Sequence, residues 1–568
     1  MGRTIALDEC LPSGPCGTTG NNHQLLYTYD LAGDLLTSTD GSMPVSSATT
    51  TTYTVSPASE VLSMTSSLSN STDPANLVSS VVNGPYGPTS YNLGNGLANA
   101  YTYDTLGRLN GGKLTNGGTQ VYAFSNTWKG TQLQGSIDSV LGQTSTYGYD
   151  GFNRLASRTV TAGTVTNYAW VYDRWGNRWQ QNVTAGSGPS FSQSFNTANN
   201  RLSTGGYLYD AAGNMTSDGT NTYTYDAEGN ITAVSVGTSA TYVYNASNQR
   251  VRTVANGATT EFVFNAGGQR VSEWNGTTRA QLKGKYYWGG RPVAYYTTAA
   301  SGSAGAHFEH QDWLGTERMR TTYNSGNNPT YAVEGQFTSQ PWGDAQTPTA
   351  NGTDASHYAT LDHDAETETD HAQFRQYSNE QGHFMSPDPY GGSYDLSNPQ
   401  SMNRYVYALN NPLSAVDPSG LDCVWQNEDG STGFSRGDCS NTGPGANGTY
   451  INCDGCVNSS NVGNVNWDSD GDMTGFCISA GQCYDSDGDP MFDDDPNNDS
   501  ILKHWPLNGN LWPGYTKQDG VCTTGPLADP MNSNPGIKAC CATHDACYTK
   551  SLLSGLNEIV ARQAYRHV

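Results

Sequence analysis

The chain has 568 residues, too many for one core, so several folding units are expected. Only 14% of its residues are charged, while it holds 66 glycines and 35 tyrosines, a mixture that favours short strands and tight turns over helices. The net charge of −24 argues against nucleic acid as a partner, and no apolar run is long enough to span a bilayer.

Residues 1–26, opening MGRTIALDECLPSGPC, lack the basic-then-apolar order of a secretory signal. The expectation is a missing natural start, or export by a machine that reads no such signal. From Tyr27 onward one phrase keeps returning: YTYDLAGDL at Tyr27, YTYDTLGRL at Tyr101, YGYDGFNRL at Tyr147, VYDRWGNRW at Val171, YLYDAAGNM at Tyr207 and YTYDAEGNI at Tyr223, with the weaker YVYNASNQR at Tyr242. The alternating Y-x-Y suits a strand with its aromatics on one face. Asp bonds the backbone two residues on and Gly or Asn accepts positive φ, so D-x-x-G predicts a turn, and the next apolar residue a return strand. Such a hairpin cannot bury its own face and must stack on its neighbours. The marked Asp residues are 16 to 74 apart, which excludes a rigid solenoid period.

These phrases resemble the YD repeats of Rhs and teneurin-like proteins. Further on, HQDWLGTERMRTT at His310 resembles that family's H-x-D-x-L-G core. DHDAETETDHAQFRQYSNEQGHFMSPDPYGG and NPQSMNRYVYALNNPLSAVDPSGL resemble the Rhs-associated core that closes the repeat shell. The resemblance implies a mainly β protein: a spiral YD-repeat β-sheet shell over 27–340, a core over 341–421, and an enclosed C-terminal toxin domain. ETETDHAQFRQY departs from the family's usual Glu-Thr-Gly-Leu-x-Tyr stretch.

Asp388 and Asp417 each begin a D-P-x-G tetrapeptide. From the residues alone both read as plain turns, since Asp and Pro favour the first two turn positions and Gly closes the turn. The resemblance instead implies an aspartyl-protease-like pair that cuts the chain after Leu421. Two close carboxylates do not both ionise easily, so one would hold a proton while the other activates water.

Ten of the twelve cysteines lie between Cys423 and Cys547, beginning just after that position. In an acidic polar segment they imply a disulfide framework and an oxidising destination, secreted or at the cell surface. Residues 422–510 read as a Cys- and Asp-rich linker. WDSDGDMTG and YDSDGDPMFDDDPNND resemble the start of a calcium loop without its terminal Glu, so a solvated acidic linker competes with calcium binding. CDGC at Cys453, and Cys477 with Cys483, lack His partners at zinc-site spacing.

Residues 511–568 form the last unit. Asn534-Pro535 predicts a helix start, with a helix to about Leu553 carrying CCATHDACY. Cys540, His544, Cys547 and Tyr548 then share one side, so a zinc site is conceivable. Adjacent cysteines point about 100° apart on a helix and more naturally seek separate cysteine partners. C-C-x-x-H-D-x-C-Y also resembles the active-site helix of secreted phospholipase A2, with DGVCTTGP in the place of the calcium loop. That resemblance implies His544 as the general base, Tyr548 in the catalytic network, and Ca2+ held by Asp545 and by carbonyls near Val521, Thr523 and Gly525. It also implies a Cys522–Cys541 disulfide, whose loop of about twenty residues contributes roughly 3 kcal/mol in the chain-entropy model. Thr523 stands where that family usually has Gly. Only 24 residues follow His544, and the tail SLLSGLNEIVARQAYRHV from Ser551 holds neither Asp nor Cys. The orienting aspartate of the family is thus absent, and a truncated, weakly active or inactive hydrolase is expected.

The combined expectation is an Rhs-type toxin whose C-terminal domain hydrolyses the sn-2 ester of membrane phospholipids, with an immunity protein as partner. The rival is a surface or adhesion YD-repeat protein with a vestigial C-terminal domain.

Overall fold

The computed structural model describes residues 3–14, 22–235, 237, 239–325, 330–347, 358–389 and 400–421 in full, together with the backbone of Pro399 and of short strands between Asp422 and Cys522. Contacts divide the chain into two units, Met1–Asn458 and Ser459–Val568.

The first unit is built almost wholly from antiparallel strands. A sixteen-stranded sheet runs from Ala6–Cys10 to Phe191–Ser192, and a thirteen-stranded sheet from Tyr207–Tyr209 to Val333–Gln336. In both, strand order follows chain order, so each strand pairs with its predecessor and its successor. The only helical segments among the described residues are single 3-10 turns such as Val45–Ser47 and Ala408–Asn410.

The repeated phrase explains this meander. In YTYDTLGRL the Asp104 carboxylate accepts the Leu106 amide at 2.9 Å and the Arg108 amide at 3.0 Å, while Gly107 takes φ +77°. The Arg108 guanidinium returns to Asp104 at 2.5 Å, closing the turn from outside. Asp150, Asp173, Asp210 and Asp226 each accept the amide four residues on in the same way. The register slips by one residue just before these turns, at Thr102/Tyr103, Gly148/Tyr149 and Thr224/Tyr225, the local bend of a β-bulge.

Stacking uses the tyrosine just before the Asp or Asn of several phrases. The hydroxyl of Tyr103 donates to the Pro88 carbonyl at 3.2 Å, Tyr149 to Leu133 at 3.0 Å, Tyr172 to Leu155 at 2.6 Å and Tyr244 to Ile231 at 2.9 Å. Each acceptor lies in a strand that precedes the tyrosine's own. The ring buries apolar area while its hydroxyl satisfies a backbone carbonyl of the preceding hairpin, which a phenylalanine could not do.

One core joins both sheets to the segment that follows them. Met64, Leu93, Phe124 and Trp170 of the first sheet pack with Tyr286, Val293, Phe308 and Met319 of the second. Trp342, Tyr377, Phe384, Tyr407 and Val416 enter the same cluster, all fully buried. The Trp313 indole, in the H-x-D-x-L-G element, donates to the Leu413 carbonyl at 3.0 Å. His310 of that element is buried against Thr321 at 2.7 Å, and burial lowers its imidazole to about 3.

In residues 422–522 the structure places short strands, with Asp422–Asn427 between Thr432–Arg436 and Ala446–Asn447. In the second unit, Val521–Cys522 pairs with Lys517–Gln518. The expected helix over 535–553 lies outside the described residues. So do His544, Asp545, Tyr548, Thr523, Gly525 and Cys541 and the side chain of Cys522. No described helix is long and apolar enough to cross a membrane, and no described cluster of His, Cys, Asp and Glu could hold a metal ion.

Candidate active site

The closing segment, residues 399–421, is held by the turns of the repeats. The Gln400 side-chain amide donates to the Phe152 carbonyl at 2.9 Å, and Asn403 to the Asn177 side chain at 2.6 Å. Asn410 donates to the Gly176 carbonyl at 2.7 Å, and the Tyr405 hydroxyl to the Gly213 carbonyl at 2.8 Å. Three successive D-x-x-G or D-x-x-N turns are thus read by one loop. Ala408, Leu409 and Asn410 adopt positive φ to do so, a strained run that only dense packing sustains.

This loop and a four-stranded sheet from Asp362–Asp364 to His383–Phe384 bring the two expected aspartates together. Asp388 arrives by antiparallel pairing: Phe384 donates its amide to Tyr405 at 2.8 Å, and Asp388 to Arg404 at 2.9 Å. Asp417 follows the fully buried Val416 and begins a tight turn, in which the Gly420 amide donates to the Asp417 carboxylate at 2.8 Å. Both side chains are almost inaccessible, at 7% exposure for Asp388 and 5% for Asp417.

Between them stands a cation that the motif reading did not anticipate. One terminal nitrogen of Arg375 lies 3.2 Å from Asp417 Oδ2 and 3.6 Å from Asp388 Oδ2. Its other terminal nitrogen donates to the Arg404 carbonyl at 3.1 Å, and its Nε donates to the Gly420 carbonyl. The guanidinium lies 3.5 Å from the centre of the Phe384 ring. Arg404 in turn donates to the Asp388 carbonyl. Two buried carboxylates need such compensation, because an isolated buried charge is strongly disfavoured.

Arg375 comes from the AQFRQY stretch, where the sequence departs from the wording of the repeat proteins it resembles. There it sits on a turn, with the Ala372 amide donating to the Arg375 carbonyl at 3.0 Å. Gly420 packs against that turn with φ +82°; a Cβ there would meet Arg375 Cβ at 3.1 Å and Ala372 Cβ at 3.3 Å. The signal for Arg375 was available: Arg375 and Arg404 are the only Lys or Arg residues between Arg320 and Arg436, and both reach the pair.

Leu421 follows the turn and is half-buried, with its amide donating to Ser419 Oγ at 3.0 Å. Beside the pair, burial first, then Tyr358 and the Asp417 charge hold the Tyr407 phenol well above its ordinary range, so it stays protonated. His383 is buried with Nδ1 on the Phe384 carbonyl at 2.9 Å, and burial lowers it to about 4. Cavities of about 600 and 390 Å³ elsewhere in this unit are lined by Tyr91, Tyr103, Trp288 and Tyr296, and neither includes Asp388 or Asp417.

No family model matches the chain. A tRNA3(Ser)-specific nuclease WapA from Bacillus spizizenii is 28% identical over 292 residues, covering 49% of this chain and 12% of the relative. A tRNA nuclease WapA from Bacillus subtilis is 27% identical over 302 residues, with the same coverage. The chain spans about an eighth of the length of these curated relatives. Among solved structures, a mutant Tc holotoxin pore of Photorhabdus luminescens superposes with TM-score 0.59 at 16% identity, covering 73% of this chain and 22% of that one. A TcdB2–TccC3 complex without its hypervariable C-terminal region gives the same TM-score and covers 73% of this chain and 23% of that one. These likenesses establish the shell fold.

Proposed function

We propose that this chain is a toxin carrier of the Rhs type that cuts itself between Leu421 and Asp422 and so frees the segment from Asp422 onward. The observation that carries this reading is the buried Asp388–Arg375–Asp417 cluster, whose Asp417 opens the turn that ends one residue before that bond. In the reaction, one carboxylate takes a proton from water as the oxygen adds to the Leu421 carbonyl carbon. The other carboxyl gives its proton to the Asp422 nitrogen as the C–N bond breaks. Arg375, bound to the Gly420 carbonyl, fixes the acids relative to the backbone one residue upstream.

The freed segment is read as a calcium-dependent phospholipase A2-like hydrolase. Support comes from the CCATHDACY and DGVCTTGP wording, which gives residue types suited to the task. A neutral His544 would deprotonate water, and Ca2+ at Asp545 and the Val521–Gly525 carbonyls would stabilise the ester oxyanion. Its substrate would be a phospholipid membrane, its partner an immunity protein that blocks it, and its destination outside the producing cell.

A second reading, a tRNA-cutting segment, is favoured by the names of the two Bacillus relatives; the net charge of −24 weighs against it. Purified full-length protein should be offered labelled phosphatidylcholine vesicles and total tRNA, each with calcium or chelator. Calcium-dependent release of fatty acid, lost in His544→Gln, supports the lipase reading. tRNA cleavage without fatty-acid release would replace it.

A further inference from the structure

We infer that Ser419 is a positioning residue for the self-cleavage, through a hydroxyl that sets the residue before the cut; this rests on the Asp388/Asp417 reading above. The D-P-x-G wording treats its third residue as free, yet the two copies differ there, Tyr390 in one and Ser419 in the other. Ser419 is bound at both ends. Its carbonyl accepts the Phe374 amide at 2.8 Å, which ties it to the turn carrying Arg375. Its Oγ accepts the Leu421 amide at 3.0 Å, two residues on.

Any residue could provide the first bond, since it is made by backbone. The second needs a short side-chain acceptor, which Ser, Thr, Asn and Asp possess and Ala or Tyr lacks. The consequence is geometric. Asp417 Oδ1 holds the Gly420 amide, Arg375 Nε holds the Gly420 carbonyl, and Ser419 Oγ holds the Leu421 amide. Successive polar groups on the approach to the Leu421 carbonyl are thus each held by a side chain, the first two by members of the acid cluster. Without the hydroxyl, the Leu421 peptide loses its tether just before the bond that water must attack. Small misplacements of a reacting group carry large rate penalties.

The test follows newly made full-length protein by intact mass in a cell-free synthesis chase, for wild type, Ser419→Ala, Ser419→Thr and Asp417→Asn. Loss of one neutral hydrogen bond predicts cleavage roughly threefold to tenfold slower in Ser419→Ala. A minor share of cuts should also move to a bond beside Leu421–Asp422. Ser419→Thr should restore both rate and position, and the urea midpoint of the shell should be the same in all three cleaving chains. Cleavage of Ser419→Ala at the wild-type rate and position, with Asp417→Asn whole, overturns the role of Ser419 and leaves the acid pair standing. A wild-type chain that stays whole, or an Asp417→Asn chain that still cuts, overturns the underlying reading and this role with it.

Discussion

Replacing Arg375 by Met removes a cation that touches both acids while keeping a side chain able to pack on Phe384. Arg375 is 3% exposed and its partners 7% and 5%, so water cannot take over the lost interactions. Breaking a buried pair by removing one partner costs about 3–5 kcal/mol, mostly from the charge left behind. The carbonyls of Gly420 and Arg404 also lose a donor, which adds to the cost of about 1–3 kcal/mol expected for buried groups left unmade. These two contributions separate by neutralising the acids. Arg375→Met should be compared in an Asp388→Asn chain, where Asp417 remains charged, and in an Asp388→Asn/Asp417→Asn chain, where neither does. All four chains are expected to stay whole, so equilibrium urea unfolding, read by tryptophan fluorescence, compares equal covalent lengths. The loss in the first background should exceed that in the second by about 3–5 kcal/mol, the second keeping only the carbonyl contribution. Equal losses in both would refute the claim that Arg375 is there to compensate the pair.

Gly420→Ala forces a side chain into positive φ and against Arg375 and Ala372, so the turn should distort and cleavage slow at least tenfold, read by the same intact-mass chase. Tyr172→Phe removes the hydroxyl bond to Leu155 and should destabilise the shell by about 1 kcal/mol, with faster amide exchange concentrated in Leu155–Ala162. Burial lowers His310 to about 3 and His371 to about 4, below the range of about 6.5 of an unfolded histidine. The unfolded chain therefore binds more protons between those limits. Stability should be level above pH 6.5 and fall as pH drops toward 4, by up to about 1.4 kcal/mol per unit per histidine. A His310→Gln chain should show a shallower fall in urea midpoint between pH 6.5 and 5.

The repeats were legible because their information is local. Y-x-Y-D-x-x-G carries the strand alternation, the Asp that binds the amides two and four residues on, and a residue that accepts positive φ. The structure forms these turns at Asp104, Asp150 and Asp226. The link between hairpins was not legible, since the acceptors of the Tyr hydroxyls are backbone carbonyls, which every residue has. Asp388 and Asp417 were found through their tetrapeptides, and the structure brings both to one nitrogen. Arg375 was missed because its role is a long-range pairing, 42 residues from Asp417, and its stretch reads as a departure from the family wording. A charge inventory would have exposed it: two acids destined for burial, and only two basic residues within reach of them along the chain. The calcium-loop and His544 readings rest on wording alone, since the side chains they need fall outside the described residues.

Intact mass spectrometry of freshly purified full-length protein tests the central claim most directly. Wild type should yield a shell fragment ending at Leu421 and a second fragment beginning at Asp422, while Asp388→Asn and Asp417→Asn should each give a single species of full mass. A wild-type chain of full mass, or the same two fragments from either variant, would contradict it.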